Sequence, residues 1–258
     1  MTLVVALSAR ADIAKDTIRA IWLFDEENAA TAEDASGNGN TGELVGVPAW
    51  EAGQFGMALS LDGAESHVLV PDSPDLDAAL SDGFTIVVWV RGEYVNDWHG
   101  VLTKAEDWDN TMSYLIQRDR DSAAFNAGLF PTGDAAGATW FASTVVPEDD
   151  VWYHLAVRYD GAEASYLVDG EVKTVIAYAV GVQDNGSPLV IGSNYPNAIQ
   201  GFPGLIDDVG IFSAALDDDD IGVIIEVGLA NATGIAPVEP AGKLPLAWGA
   251  LRRASLRE

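Results

Sequence analysis

Two groups of residues in this sequence are of types that do chemistry. The first is the stretch 34–42, Asp-Ala-Ser-Gly-Asn-Gly-Asn-Thr-Gly. Asp34, Ser36, Asn38 and Asn40 place a side-chain oxygen at every second position, and the interleaved glycines free the backbone to curl. Such a loop can gather carboxylate, amide and carbonyl oxygens around a hard cation, and Ca²⁺ takes about six to eight of them. The same residue types also make an Asn/Gly turn that bonds only to its own backbone. Both readings stand on the sequence alone.

The second group is a set of aromatic rings in segments that lack strand patterning. Trp98 and His99 follow Asn96 and Asp97; Trp108 stands among Asp107, Asp109 and Asn110; Tyr195 stands between Asn194 and Asn197. Flat rings stack on the C–H faces of sugars, and binding pockets pair apolar walls with a few placed polar groups. These loops predict a ligand site made of Trp98, His99, Trp108, Asp109, Tyr195 and Asn197. For each ring the alternative is that it caps one end of the core. Trp22, Trp89, Trp140 and Trp152 fall in strand patterns and are expected in the core.

The bulk properties narrow the classes of partner. Forty acidic residues against thirteen basic ones give a formal charge of −27. That excludes nucleic acid and anionic membranes as partners, since both need Lys or Arg to neutralise phosphate. It suits a secreted protein kept soluble by self-repulsion, or one that works among divalent cations. With no cysteine there are no disulfides, thiolate metal sites or thiol catalysis. No apolar run is long enough to insert into a membrane. The run 3–9 followed by Ala9-Arg10-Ala11 reads as the remnant of a secretory signal peptide over 1–11, with a short element of the domain as the alternative. Secretion or a cell-surface location follows from the first reading.

Short strands must position both groups. Apolar alternation marks strands at 20–24, 42–48, 55–63, 67–71, 84–91, 100–104, 113–118, 124–130, 139–143, 151–159, 164–168, 171–180, 188–192 and 204–212. Asp-Gly pairs at 160–161 and 169–170 mark hairpin turns. The near-continuous apolar run at 84–91 predicts a central strand covered on both faces. This spacing predicts an all-β fold, an antiparallel sandwich of two sheets, over residues 12–233. Asp217 is placed to cap a short C-terminal helix, with Asp218, Asp219 and Asp220 in its first turn. Residues 234–258 form a Pro-containing linker and a tail that gathers Lys243, Arg252, Arg253 and Arg257.

Taken in order, Trp22-Leu-Phe-Asp-Glu26, the 34–42 loop, Phe55-Gly-Met-Ala-Leu-Ser-Leu-Asp-Gly63, Phe84-Thr-Ile-Val-Val-Trp-Val90, Trp152-Tyr-His-Leu-Ala156, Tyr166-Leu-Val-Asp-Gly170, Ile191-Gly-Ser193 and Gly204-Leu-Ile-Asp-Asp-Val209 resemble the laminin G-like jelly-roll domains of the concanavalin A-like lectin/glucanase superfamily. The resemblance runs from about residue 20 to residue 228. It implies a jelly roll and, in many members, a structural calcium ion placed by the early Asp-x-Ser-Gly loop and the late Ile-Asp-Asp strand. The implied ligands here are Asp34, Asn38, Asn40 and Asp207 or Asp208, with carbonyls of Thr41 or Gly42 and with Asp25 and Glu26 as further candidates. Strand alternation puts Asp207 and Asp208 on opposite sides. It puts Asp207 on the side of Val209 and Ile211, where a buried carboxylate needs a cation or backbone donors.

The superfamily also includes glycoside hydrolases and lyases. A retaining glucanase needs two carboxyls about 5–5.5 Å apart, and no predicted strand carries a Glu-x-Asp-x-x-Glu pattern. His67 and His154 fall in apolar strands, and His99 has no nucleophile near it in sequence. The sequence therefore predicts a secreted, calcium-binding, non-catalytic module that binds carbohydrate or extracellular matrix. An adhesive protein–protein module is the alternative, and a divergent hydrolase or lyase is a third reading.

Overall fold

The computed structural model describes residues 13–26, 29–77, 80, 82–108, 111–133 and 135–235. Asp109, the expected signal remnant at 1–11 and the basic tail lie outside the described residues.

The chain alternates between two layers. Its strands are β1 (Ile18–Trp22), β2 (Thr31–Ala32), β3 (Gly42–Val45), β4 (Ala49–Ala52), β5 (Met57–Asp62), β6 (His67–Val70), β7 (Phe84–Gly92) and β8 (His99–Lys104). They continue as β9 (Tyr114–Arg118), β10 (Phe125–Leu129), β11 (Thr139–Ala142), β12 (Tyr153–Tyr159), β13 (Glu163–Val168), β14 (Glu171–Ala177), β15 (Leu189–Ile191) and β16 (Pro203–Phe212). The first sheet runs β14-β13-β12-β7-β16-β5-β4, with β1 also paired to β16; the second runs β11-β10-β9-β8-β15-β6-β3-β2. Every pairing is antiparallel. The expected two-sheet sandwich is the architecture observed.

Period-two alternation fills the space between the sheets. Trp22, Phe84, Ile86, Val88, Leu155, Tyr166 and Ile206 come from the first sheet, and Val68, Tyr114, Ile116, Phe125 and Ile191 from the second. The outer face of the first sheet is covered as well. Val87, Ala156, Leu167 and Phe212 pack under Ile221, Ile224 and Leu229 of the helix α1 (Asp218–Thr233). That second contact explains why β7 is apolar on both sides. Asp217 caps α1 as expected, its Oδ1 accepting the Asp220 N–H at 2.8 Å.

Among the described residues no α-helix covers the outer face of the second sheet. There, β8 to β11 leave a surface that the loops 93–98, 105–108 and 193–201 border.

Candidate functional site

On β9, β10 and β11 the residues between the core-facing ones must point outward. They are Leu115, Gln117, Asn126, Gly128 and Trp140. Pairing register puts Gln117 opposite Asn126, and Gly128 between Leu115 and Trp140. Gly128 is required by packing: a Cβ there would stand 2.8 Å from the Phe130 ring and 2.9 Å from the Trp140 ring. With no side chain in the way, the two rings lie over the sheet edge to face, centroids 5.4 Å apart. Trp108 stacks on Trp140 at 6.0 Å with planes inclined by 26°. Buried Leu115, Met112, Ala105 and Phe130 form the apolar seat beneath them. Trp108 and Trp140 nevertheless stay 45% and 38% exposed.

The opposite wall comes from the loop after β15. Gly100 on β8 admits that loop, because a Cβ there would lie 2.2 Å from the Asn194 backbone nitrogen. The Gly100 N–H donates to Gln200 O at 2.8 Å. Buried Asn194 then donates to Gln117 Oε1 at 2.7 Å and to Gln200 Oε1 at 2.6 Å. Each glutamine carbonyl thereby accepts one hydrogen bond, and each side chain also carries an NH₂ group that can donate. Trp98 completes the rim, with the Arg120 guanidinium 3.7 Å above its ring.

The result is a cleft of about 550 Å³ lined by Trp98, Trp108, Gln117, Asp119, Asn126, Trp140, Tyr195 and Gln200. Asp119 Oδ1 accepts from the N–H groups of Asp121 and Ser122 and from the Ser122 hydroxyl. Burial pushes the Asp119 carboxyl up, but donors from Ser122, Trp98 and Asp121 outweigh it and hold the group below the usual carboxylate range. Asn126 Nδ2 donates to Asp119 Oδ2 at 3.2 Å. Asn126 Oδ1 is buried with no protein partner. A buried acceptor left open in a cleft wall invites a donor from a ligand.

The structure brings Trp98, Trp108 and Tyr195 together in one cleft. His99 does not join them. It is buried on β8, its ring nitrogens 3.1 Å from Gly201 O and 3.2 Å from Val95 O, tying together the loops that carry the rim. Asn197 is exposed and lies outside the cleft lining. Trp140 was expected in the core and instead forms the wall, because it alternates with core-facing Phe141 on β11, the edge strand, and so points to the outer face. The outward amides Gln117 and Asn126 were also missed; their alternation with core residues on β9 and β10 was the available signal.

The oxygen-rich loop behaves differently from a cation cradle. Asp34 Oδ1 accepts from Ile21 N at 3.1 Å and Ser36 N at 3.0 Å, and Oδ2 accepts from Asn40 N at 2.9 Å. Asn38 and Asn40 donate through their amides to carbonyls of β1. Asn40 Oδ1 accepts from the Ser73 hydroxyl. Ile21 bonds the loop through both its N–H and its C=O, so the loop lies along the outer edge of β1, with β1 between it and β16. The expected joint ligand set of Asp34, Asn38 and Asn40 with Asp207 or Asp208 is therefore split into two places, and the first is filled by protein donors.

At the second, Asp207 and Asp208 sit where β16 changes neighbours, between its pairing with β5 at 203–206 and with β1 at 209–212. A register shift between Asp207 and Gly210, with Asp208 at φ 45°, breaks the alternation. Ile206 and Val209 both face the core, so Asp207 and Asp208 both point to the outer face. This corrects the expectation that they face opposite ways and that Asp207 shares a side with Val209. Asp207 Oδ2 accepts from Phe55 N at 2.9 Å, and Asp208 Oδ2 accepts from Leu229 N at 2.7 Å, beside the kink of α1 at Gly228. Burial, then the charge of Asp208, pushes Asp207 up to about 8; burial, with the charge of Asp25 adding, pushes Asp208 up to about 7. Asp207 Oδ1 is buried without a partner.

Known proteins bear on this geometry. The family model described as the Concanavalin A-like lectin/glucanases superfamily, in its laminin G form, matches residues 62–222. No curated protein sequence matches the chain. Among solved structures, domain 4 of AbnA, a GH43 extracellular arabinanase from Geobacillus stearothermophilus determined with arabinotriose, is 20% identical with a TM-score of 0.58, covering 86% of this chain and 98% of that one. The binding domain of Paraclostridial Mosquitocidal Protein 1 is 15% identical with a TM-score of 0.65, covering 82% of this chain and 52% of that one. A botulinum neurotoxin type C structure, described with cell entry that depends on two ganglioside molecules, is 14% identical with a TM-score of 0.65, covering 82% and 51%. The chain thus spans about half the length of the two toxin chains. The fold is a jelly-roll sandwich of the concanavalin A-like type. The chain belongs to the concanavalin A-like lectin/glucanase superfamily.

Proposed function

We propose that this domain is a non-catalytic glycan-binding module of a secreted or cell-surface protein. The cleft on the outer face of the second sheet carries the reading. It combines a stacked tryptophan wall with fixed amide donors and one open buried acceptor at Asn126. Sugars need both, since their C–H faces stack on rings and their hydroxyls pair with planar polar groups. The arabinotriose and gangliosides named with the structural neighbours, and the extracellular arabinanase among them, support the same reading. Among the described residues that line the cleft the single carboxylate is Asp119, already tied to donors from Asp121, Ser122 and Asn126. Glycoside hydrolysis needs a pair, which supports binding without turnover. Isothermal titration of the protein with neutral and acidic oligosaccharides tests the proposal, with product analysis of the same mixtures. Binding without product is expected; product release would overturn the non-catalytic part.

We also propose that calcium, as a structural ion, is held at Asp207 and Asp208, and not in the 34–42 loop. The support is the unpartnered buried Asp207 Oδ1 beside a second raised carboxyl. Among the described residues no three His, Cys, Asp or Glu side chains form a group that could hold a metal ion, so backbone carbonyls and water would have to complete the sphere around the two carboxylates. Calcium should raise the melting temperature of wild type and of Asp34→Asn but not of Asp207→Asn. A response lost in Asp34→Asn and kept in Asp207→Asn would overturn this placement.

A further inference from the structure

The chemistry of the cleft goes beyond "glycan". Resting on the glycan-binding reading, we propose that the cleft selects neutral glycans and rejects anionic ones, such as uronate, sialylated or sulfated chains. Among the described residues lining it, the polar groups are three amides, one carboxylate, the Tyr195 hydroxyl and three indole N–H groups, with no Lys, Arg or His.

Asp119 supplies a fixed negative charge in the wall. The donors from Asp121, Ser122 and Asn126 hold it in place and keep it ionised. A carboxylate or sulfate on the ligand would meet a like charge with no counter-charge in the lining. Partly enclosed charges interact more strongly than solvated ones.

Among the described residues, the two arginines nearest the cleft have partners of their own. Arg118, buried on β9, donates through Nη1 to the carbonyls of Val95 at 3.0 Å and Asp97 at 2.8 Å, holding the Trp98 loop. Arg120 sits over the Trp98 ring at 3.7 Å and pairs with Asp121 at 3.2 Å. A guanidinium engaged by a ring face and a carboxylate is a poor clamp for a second anion. Beyond the cleft, the formal charge of −27 lowers the local concentration of any anionic chain as it approaches.

What remains is matched to hydroxyls. The NH₂ groups of Gln117 and Gln200 can donate, while Asn126 Oδ1 and Asp119 Oδ2 accept. A neutral sugar satisfies all four with its hydroxyl groups and its ring face. A uronate in the same place gives up a donor for a second acceptor.

The test is calorimetric titration of the full chain with two matched sets. Arabino-, xylo- and malto-hexaose and lactose are the neutral probes; oligogalacturonate of the same length and sialyllactose are the anionic ones. Each is run at about 50 mM and about 500 mM NaCl, where screening differs several-fold. The expected result is at least one neutral ligand that binds more than about tenfold tighter than every anionic probe at low salt. Its affinity should be nearly independent of salt, and the gap to anionic probes should narrow at high salt. Asp119→Asn, checked for a native melting transition, should reduce the neutral-to-anionic ratio by about tenfold. An anionic probe that binds as tightly as the best neutral one would overturn this selectivity while leaving the glycan reading intact. Binding of neither set would overturn both.

Discussion

Trp108 and Trp140 stack on each other with centroids 6.0 Å apart, one from the loop after β8 and the other from the edge strand β11. Each is more than one-third exposed. A large apolar pair left open in this way marks a binding surface more often than a packing need. Trp108→Ala and Trp140→Ala should each weaken glycan binding by about 2 kcal/mol. Their cost in stability should be smaller, since neither ring is in the main core. Titration calorimetry and thermal melts of the two variants separate these effects; a large loss of stability with unchanged binding would contradict the assignment.

Gly100 is placed to act on the cleft at a distance. Its backbone needs no left-handed conformation, yet a methyl group would clash with Asn194. Gly100→Ala should therefore push the 193–201 loop outward, at about 1–3 kcal/mol of stability, and release Gln117 and Gln200 from their shared partner. Weaker glycan binding, seen alongside a shifted urea midpoint, is the expected pair of results. Unchanged binding would show that this loop does not form the wall.

Asp34 is a clasp on β1. Replacing it with Ala strips partners from the N–H groups of Ile21, Ser36 and Asn40, a loss of about 3 kcal/mol. Asn at the same position retains an acceptor and should cost less. Denaturant unfolding of both variants with and without EDTA checks this, and the Asp34→Ala deficit should be the same in either condition.

Asp207 and Asp208 give the protein an unusual pH response. Their folded pKa values, about 8 and about 7, stand above the ordinary 3.8. Groups raised in this way bind protons more tightly in the folded state. The stability they contribute is fully present below about pH 4 and is lost as pH rises through about 7 and 8. In calcium-free buffer, wild type should therefore lose about 2 kcal/mol or more between pH 5 and pH 8, relative to Asp207→Asn. Urea unfolding at the two pH values measures the difference, and parallel behaviour of the two proteins would contradict it.

Much of this architecture was legible because strand alternation is a local signal. Phe84, Ile86 and Val88 read as core and are core; Val87 between them reads as covered, and α1 covers it. Asp217 read as a cap and is one. The cleft was only partly legible. Trp98, Trp108 and Tyr195 stood out because loops that carry rings among Asn and Asp are unusual. Trp140 did not stand out, because alternation sets it and Phe141 on opposite faces without saying which face is the outer one. What decides that is packing against residues far along the chain. The same limit explains Asp207: a strand read in isolation alternates strictly, whereas β16 exchanges β5 for β1 at that point and takes up a residue in the left-handed region.

The central claim is that glycan binds on the outer face of the second sheet, between Trp108–Trp140 and the 193–201 loop. The most direct measurement is titration of the oligosaccharide panel into wild type and into the Trp108→Ala/Trp140→Ala double variant, with native folding of both verified by thermal melts. Saturable binding of a neutral oligosaccharide to wild type, abolished or weakened at least about thirtyfold in the double variant, is the predicted result. Equal binding by the two proteins, or no binding by wild type to any member of the panel, would contradict it.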